Sequence, residues 1–202
     1  MISRIVDELQ KIIRRRRTSK PVTFSGEVPD PGLVLELIEV ARHAPNHHKT
    51  EPARFYLLGR EKIGQVGKLF GAVAAGDGSD PSLVEKGKRK EQEWSSCPGL
   101  LVVTCHTDQD SDLARRYPDL AREDYATCSC ICQNLLLLME SKGISSKWST
   151  GPVWKHPEFA RTVEIASPGT EEVVALIFYG YSDAEIPPRP LTPLKDHLKD
   201  FS

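Results

Sequence analysis

Residues 44–55 read Ala-Pro-Asn-His-His-Lys-Thr-Glu-Pro-Ala-Arg-Phe, and the predicted architecture depends on this segment more than on any other. The segment joins a predicted helix, with an apolar stripe from Leu33 to Ala41, to a predicted strand over residues 54–59. Pro45 disfavours helical backbone in the residue before it, so the helix must end near Ala44. A loop rich in histidine and asparagine between two rigid elements is a common setting for a binding site.

The spacing of apolar residues predicts further helices and strands on both sides of this segment. Two of the helices begin at Asp-Pro pairs, Asp30-Pro31 and Asp80-Pro81, which are typical of an N-cap followed by a first helical residue. Residues 106–117 are predicted to form a charged loop. The predicted helices cover residues 2–17, about 63–73, 81–94 and 120–142, and two more begin at residues 31 and 157. The predicted strands cover residues 54–59, 100–105 and 173–180.

The helix predicted over residues 120–142 is apolar around most of its circumference, which indicates a position in a core or a subunit interface. Residues 186–202 are rich in proline and contain little material for a core of their own. Such a tail becomes ordered only by docking on another surface.

Composition narrows the classes of protein to consider. A chain of 202 residues suits one domain, and a formal net charge of −1 gives no reason to expect a nucleic-acid or membrane partner. No apolar run approaches the roughly 20 residues of a spanning helix, and the N-terminus lacks the features of a secretory signal. Five cysteines without a Cys-x-x-Cys pair indicate free thiols in a reducing compartment, so we expect a cytoplasmic location.

A run of basic residues, Arg14-Arg15-Arg16-Arg17-Thr18-Ser19-Lys20, ends the first predicted helix. Three interpretations are open. The run is a solvated basic patch, a nucleic-acid contact, or a cradle in which guanidinium, hydroxyl and ammonium groups converge on one phosphate. The nucleic-acid interpretation is weakly supported, because the protein is nearly neutral and the run contains no interleaved aromatic residues.

Two other groups of residues resemble metal or redox sites when only their order in the sequence is considered. His47 and His48 are adjacent, so their side chains point in different directions on most backbones, and no acidic or thiol partner lies at ligand spacing. Cys128 and Cys132 share one side of a helix whereas Cys130 points away, which favours buried cysteines acting as small hydrophobic residues. We therefore predict no metal site. Dinucleotide-binding glycine motifs, P-loops and metalloprotease or serine-hydrolase motifs are also absent from the sequence.

Several motifs in this order and spacing resemble the small, single-domain members of the nitroreductase-like flavoproteins. The similarity covers nearly the whole chain. The motifs are Arg16-Arg17-Thr18, Ala41-Arg42-His43-Ala44-Pro45-Asn46-His47, Glu51-Pro52-Ala53-Arg54-Phe55, Gln133-Asn134-Leu135-Leu136, Lys147-Trp148-Ser149-Thr150-Gly151, Gly180-Tyr181 and Pro187-Pro188-Arg189-Pro190.

The resemblance implies an α+β, three-layer fold in which helices flank a central antiparallel mixed sheet. It implies a single domain over residues 1–202, paired with a second copy in an intertwined homodimer, with an extension over about 186–202 that packs on the partner subunit. One FMN is expected at each end of the dimer interface, touched by both chains.

The resemblance also implies which residues contact FMN. Residues 16–18 match the family positions that contact the phosphate and ribityl chain of FMN. His43 and His47 match a loop that lines the flavin from the other subunit. Residues 147–149 match the segment beside the isoalloxazine ring. His43 stands where close relatives carry arginine, and Ala53 replaces an aromatic residue. The predicted cofactor-binding set is Arg16, Arg17, Thr18, Lys20, His43, Asn46, His47, Lys147, Trp148, Ser149 and Arg189.

The implied activity is that of an FMN-dependent oxidoreductase. Hydride is expected to pass from NADH or NADPH through FMN to a small acceptor, such as a nitroaromatic compound or a quinone, with ping-pong kinetics. Because the cofactor supplies the chemistry, no catalytic residue is named, although Lys147 is a candidate for stabilising reduced flavin. The alternative is a protein that binds or consumes FMN without nitroreductase turnover.

Overall fold

The computed structural model describes the backbone of residues 2–201 and the side chains of residues 7–201. Met1 and Ser202, the two ends of the predicted domain, lie outside the described residues. The helices in the described part are α1 (Ile2–Arg15), α2 (Pro31–Ala41), α3 (Arg60–Ala75), α4 (Pro81–Ser95), α5 (Asp112–Arg116), α6 (Leu120–Ser141) and α7 (Pro157–Val163). The strands are β1 (Ala53–Leu58), β2 (Gly99–His106), β3 (Ser145–Ser149) and β4 (Glu171–Gly180).

The four strands form one sheet in the order β1-β2-β4-β3, so β1 and β3 are its edges. Every neighbouring pair is antiparallel. Within the described residues, the sheet gains a parallel component only at an isolated bridge between Thr18 and Ser146. The predicted α+β fold with an antiparallel sheet is therefore confirmed, and its mixed character rests on that bridge.

Helices cover both faces of the sheet because β2 and β4 place apolar side chains alternately on each face. On β2, Leu101 and Val103 pack with α2 and α6, whereas Leu100 and Val102 pack with α3, α4 and α7. The result is the predicted arrangement of three layers, with the sheet in the middle. None of the described helices is long and apolar enough to cross a bilayer.

The Asp-Pro signals at the starts of α2 and α4 are confirmed. The Asp30 carboxylate accepts hydrogen bonds from the backbone N–H groups of Gly32 and Leu33, and Asp80 accepts one from Ser82. Each bond satisfies a backbone donor that has no partner within the helix.

Two predicted boundaries were wrong. The first helix ends at Arg15 rather than residue 17, and the next residues lead to the bridge between Thr18 and Ser146. The region over 106–117, predicted as a loop, contains the five-residue helix α5, which is capped by the Ser111 hydroxyl accepting from the N–H of Ala114. A helix this short has too few apolar positions to reveal its period in sequence.

Helices α3 and α4 pack closely through glycines. A Cβ atom at Gly87 on α4 would lie 2.6 Å from the carbonyl oxygen of Gly71 on α3, and one at Gly67 would lie 2.7 Å from the backbone nitrogen of Ser95. These distances are shorter than van der Waals contact, so the two backbones approach to a separation that only glycine permits.

Gly87→Ala should lower the free energy of unfolding by about 1–3 kcal/mol, because the added methyl group forces the two helices apart. For a chain of this size, the melting temperature should fall by about 2–4 °C for each kcal/mol, as measured by thermal unfolding. Gly64→Ala is the matched control, since a Cβ atom at Gly64 meets nothing within 4 Å. An equal loss of stability in Gly87→Ala and Gly64→Ala would show that the close packing of α3 and α4 is not the cause.

Four of the five cysteines are buried, and Cys130 is exposed. All five are free thiols. Burial raises the pKa of Cys97 to about 11 and the pKa of Cys132 to about 12. The interpretation of the buried cysteines as small hydrophobic residues of the core agrees with this placement.

The chain leaves the sheet after Gly180, and residues 183–201 are exposed. The tail nevertheless carries several large apolar side chains that face solvent: Ile186, Leu191, Leu194, Leu198 and Phe201. An exposed apolar series of this kind is typical of a segment that docks on another surface.

Candidate functional site

The basic segment, residues 16–20, runs beside edge strand β3. The backbone N–H of Ser19 donates to the carbonyl oxygen of Ser146 at 3.0 Å, next to the bridge between Thr18 and Ser146. The preceding residue, Arg15, holds the end of α1 against α6, with its Nε 2.7 Å from an oxygen of Glu140. The structure therefore places the basic segment next to the strand that contains residues 147–149.

The guanidinium groups of the basic segment offer more hydrogen-bond donors than the surrounding residues supply acceptors. The guanidinium of Arg16 makes no hydrogen bond or ion pair with the side chains and backbone that the structure describes. The Nε of Arg17 is buried without a hydrogen-bond partner, and its Nη1 donates to the carbonyl oxygen of Arg16 at 2.7 Å. A buried donor without an acceptor costs about 1–3 kcal/mol, and more when it is charged. An anion bound at this segment would supply the acceptors that are lacking.

Lys147 extends the positive region toward α4. Its Nζ lies 6.0 Å from the centre of the Phe178 ring, on the face of the sheet covered by α3 and α4. Burial lowers the pKa of Lys147; the nearby Glu93 opposes this shift, whereas Lys90 and Lys20 add to it. Neither Lys90 nor Glu93 was among the site residues predicted from the sequence.

The three residues predicted to lie beside the flavin do not all face the same way. Trp148 packs against the cluster that contains α2 and α6, whereas Lys147 points to the opposite face. Ser149 is buried. Because side chains alternate along a strand, a ligand beside β3 meets either the Lys147 side or the Trp148 side, together with the exposed strand edge.

The loop over residues 42–52, which precedes β1, is held by side-chain hydrogen bonds within the loop and by one to α6. Asn46 accepts from the N–H of Glu51 at 2.9 Å and donates to the Thr50 hydroxyl at 3.0 Å. Thr50 and Thr107 donate to the two oxygens of Asp124, at 2.5 and 2.7 Å. The side chain of Asn46, predicted to contact FMN, is thus engaged within its own loop. Asp124, which is 1% exposed, was not among the predicted cofactor-binding residues.

This loop also contains three non-glycine residues with positive φ: 57° at His48, 55° at Lys49 and 46° at Glu51. Such left-handed conformations are uncommon for residues with a Cβ atom and cluster at functional sites. The bonds to Asp124 provide the surrounding structure that maintains them.

A groove of about 950 Å³ lies along the β1 edge. It is lined by the loop, by the outer face of α2 and by β1, and includes His43, Asn46 and Arg54. His43 is exposed, as is His47, which lies outside the groove lining.

The structure separates the predicted site residues into groups at opposite corners of the sheet. The loop adjoins the first residue of β1, which pairs with Cys105 near the end of β2. The basic segment adjoins the start of β3, where Ser145 pairs with Gly180 at the far end of β4. Arg189 belongs to neither group and lies in the exposed tail. One chain therefore does not bring the two groups together, and their FMN contacts stay predictions.

The nitroreductase family matches residues 13–181. The chain is 29% identical over 195 residues to "Putative NAD(P)H nitroreductase YfhC" of Bacillus subtilis (strain 168), covering 96% of this chain and 94% of that protein.

Two solved structures share the fold. A nitroreductase-like family protein from Bacillus cereus superposes with a TM-score of 0.77 at 23% identity, covering 96% of this chain and 95% of that one. A nitroreductase with bound FMN from Desulfitobacterium hafniense DCB-2 gives a TM-score of 0.68 at 18% identity, covering 96% and 98%.

Proposed function

The chain belongs to the nitroreductase family, and from this premise we propose that it uses FMN to pass electron pairs from NADH or NADPH to a small acceptor, such as a nitroaromatic compound or a quinone. The solved relative from D. hafniense contains FMN, and the relative from B. subtilis is named for NAD(P)H. These two relatives support FMN as the cofactor and NADH or NADPH as the electron donor.

The observation that carries the proposal is the unmet donor capacity of the basic segment. A phosphate monoester offers several anionic oxygens, which suit the guanidinium groups of Arg16 and Arg17, and the Thr18 hydroxyl is near enough along the chain to join them. The partnerless Nε of Arg17 fits such a group, since it is a buried donor without an acceptor. We propose that these residues hold the FMN phosphate, with Lys20 adjacent.

When bound, FMN supplies the hydride-transfer chemistry. The chain's own task is to orient the ring and to provide charge beside it. Lys147, whose pKa is lowered mainly by burial, is a partly desolvated cation and therefore acts more strongly on a nearby anionic ring than an exposed lysine would. Trp148 gives a rigid wall on the other side of β3.

We further propose that the working site requires two chains. The basic segment and the loop occupy opposite corners of one sheet, so a homodimer is the simplest arrangement that places His43 and His47 of one subunit near Arg16 and Arg17 of the other. The exposed apolar tail, and with it Arg189, would pack on the partner subunit. A cytoplasmic location, expected from the free cysteines, stays a prediction.

Purification of the full chain tests the proposal. We expect a yellow protein with one FMN per chain, released on heating, that oxidises NADH or NADPH when menadione or nitrofurazone is supplied. Bound FMN without oxidation above background would indicate a protein that binds or consumes the flavin. A colourless protein that takes up no added FMN would overturn the proposal.

A further inference from the structure

Three potential metal ligands converge on the surface at the junction of the loop and α6. His47 and His48 come from the loop, and Glu123 comes from the first turn of α6. One ligand atom from each lies within 4.8 Å of the other two. Nδ1 of His47 is 3.6 Å from Oε2 of Glu123, and the ring centroids of His47 and His48 are 4.0 Å apart.

The backbone explains why adjacent histidines meet here. The sequence argument against a metal site assumed that neighbouring side chains diverge, as they do in extended backbone. His48 instead adopts φ 57°, in the left-handed region. With this backbone conformation the centroids of the two imidazole rings lie 4.0 Å apart, so both rings lie on the same side of the loop.

The acidic partner comes from tertiary structure. The hydrogen bond from Thr50 to Asp124 fixes the loop on α6, and Thr107 donates to the other oxygen of the same carboxylate. Glu123 is the residue next to Asp124. Because the loop is held at this point, Glu123 lies at ligand distance from His47 although the two residues are remote in sequence. The sequence could not show this contact.

We propose that His47, His48 and Glu123 form a binding site for a divalent transition-metal ion, with Zn²⁺ as the reference ion. Ligand atoms about 2.1 Å from a tetrahedral ion lie about 3.4 Å apart, close to the 3.6 Å between His47 and Glu123. Two imidazoles and one carboxylate favour zinc, nickel or copper over magnesium or calcium. Three protein ligands leave a fourth position for water or another donor.

Metal binding here has a structural consequence. The ion links a loop with several left-handed residues to the start of α6, a connection that otherwise depends on the Asp124 hydrogen bonds. A ligand that binds only the folded chain raises its stability. Zinc should therefore raise the melting temperature, and the site requires neither FMN nor an active enzyme.

Calorimetric titration of the chelator-treated full chain with ZnCl₂ tests the site. We expect one Zn²⁺ per chain, with affinity lowered about tenfold or more in His48→Ala and in Glu123→Gln, since loss of a supporting outer-shell group alone costs about 10–100-fold. The zinc-dependent rise in melting temperature should disappear with the affinity. His197→Ala and Cys130→Ser, which remove an exposed histidine and the exposed thiol, are the controls and should bind zinc normally.

Two outcomes would overturn the proposal: the wild-type chain takes up no zinc, or its zinc affinity is the same in His48→Ala and Glu123→Gln. X-ray absorption of the zinc-loaded wild-type chain provides a measurement that does not depend on whether a variant folds. It should show imidazole nitrogen and oxygen ligands without sulfur. Because none of these readouts uses FMN, failure of this proposal is distinct from failure of the proposed function.

Discussion

Arg16→Ala combined with Arg17→Ala should yield a folded, colourless protein whose affinity for FMN is lowered about 100-fold or more. A hydrogen bond to a charged group contributes about 1.5–3 kcal/mol, so loss of two such contacts to phosphate amounts to at least about 3 kcal/mol, or a factor above about 100. The fold should persist, because the guanidinium of Arg16 has no partner among the described residues and the side chain of Arg17 donates only to the carbonyl oxygen of Arg16. Fluorescence titration with FMN measures the affinity.

The control for this double variant removes the same charge elsewhere. Arg14 belongs to the same arginine run and Arg116 ends α5, and both are exposed. Arg14→Ala with Arg116→Ala should retain full flavin. If instead the Arg16/Arg17 variant keeps its FMN, the phosphate lies elsewhere and our assignment of the basic segment is wrong.

The second large effect is recovery of activity when two inactive variants are combined. One chain carries Arg16→Ala and Arg17→Ala, and the other carries His43→Ala and His47→Ala. If each site takes the basic segment from one subunit and the loop from the other, a mixed dimer contains one site with both defects and one site with neither. Random pairing makes half of the dimers mixed, so activity should return to about a quarter of the wild-type value.

Co-expression of the two variants with different affinity tags, followed by tandem purification, isolates the mixed dimer. Its NAD(P)H oxidation should reach about half that of the wild type, as one of two sites is intact. The same preparation of each variant paired with itself gives the baseline. Activity in the mixed dimer no higher than this baseline would show that each chain builds its site from its own residues.

Local chemistry made much of the fold predictable. The Asp-Pro pairs at residues 30 and 80 fix helix starts through bonds to residues two or three positions away. The short, mostly apolar runs over residues 100–105 and 173–180 identified β2 and β4 as strands. These signals depend on neighbours in sequence. The C-terminal end of α1 and the presence of α5 were missed, because the first depends on the docking of the following residues beside β3 and the second is a single short turn of helix.

The candidate site was predictable in its components but not in its arrangement. The motif resemblance identified the basic segment and the loop, but their placement at opposite corners follows from the strand order β1-β2-β4-β3, which the spacing of motifs does not encode. The proximity of Lys90 and Glu93 to Lys147, and the support from Asp124, likewise arise from packing between distant parts of the chain.

The protonation state of the buried cysteines determines how readily they are oxidised. With pKa values of about 11 for Cys97 and about 12 for Cys132, at pH 7 only about one Cys97 side chain in ten thousand is ionised, and fewer for Cys132. Peroxides attack thiolates rather than thiols. These two sulfur atoms in the interior are therefore expected to stay unmodified, whereas sulfenic acid is expected first at the exposed Cys130.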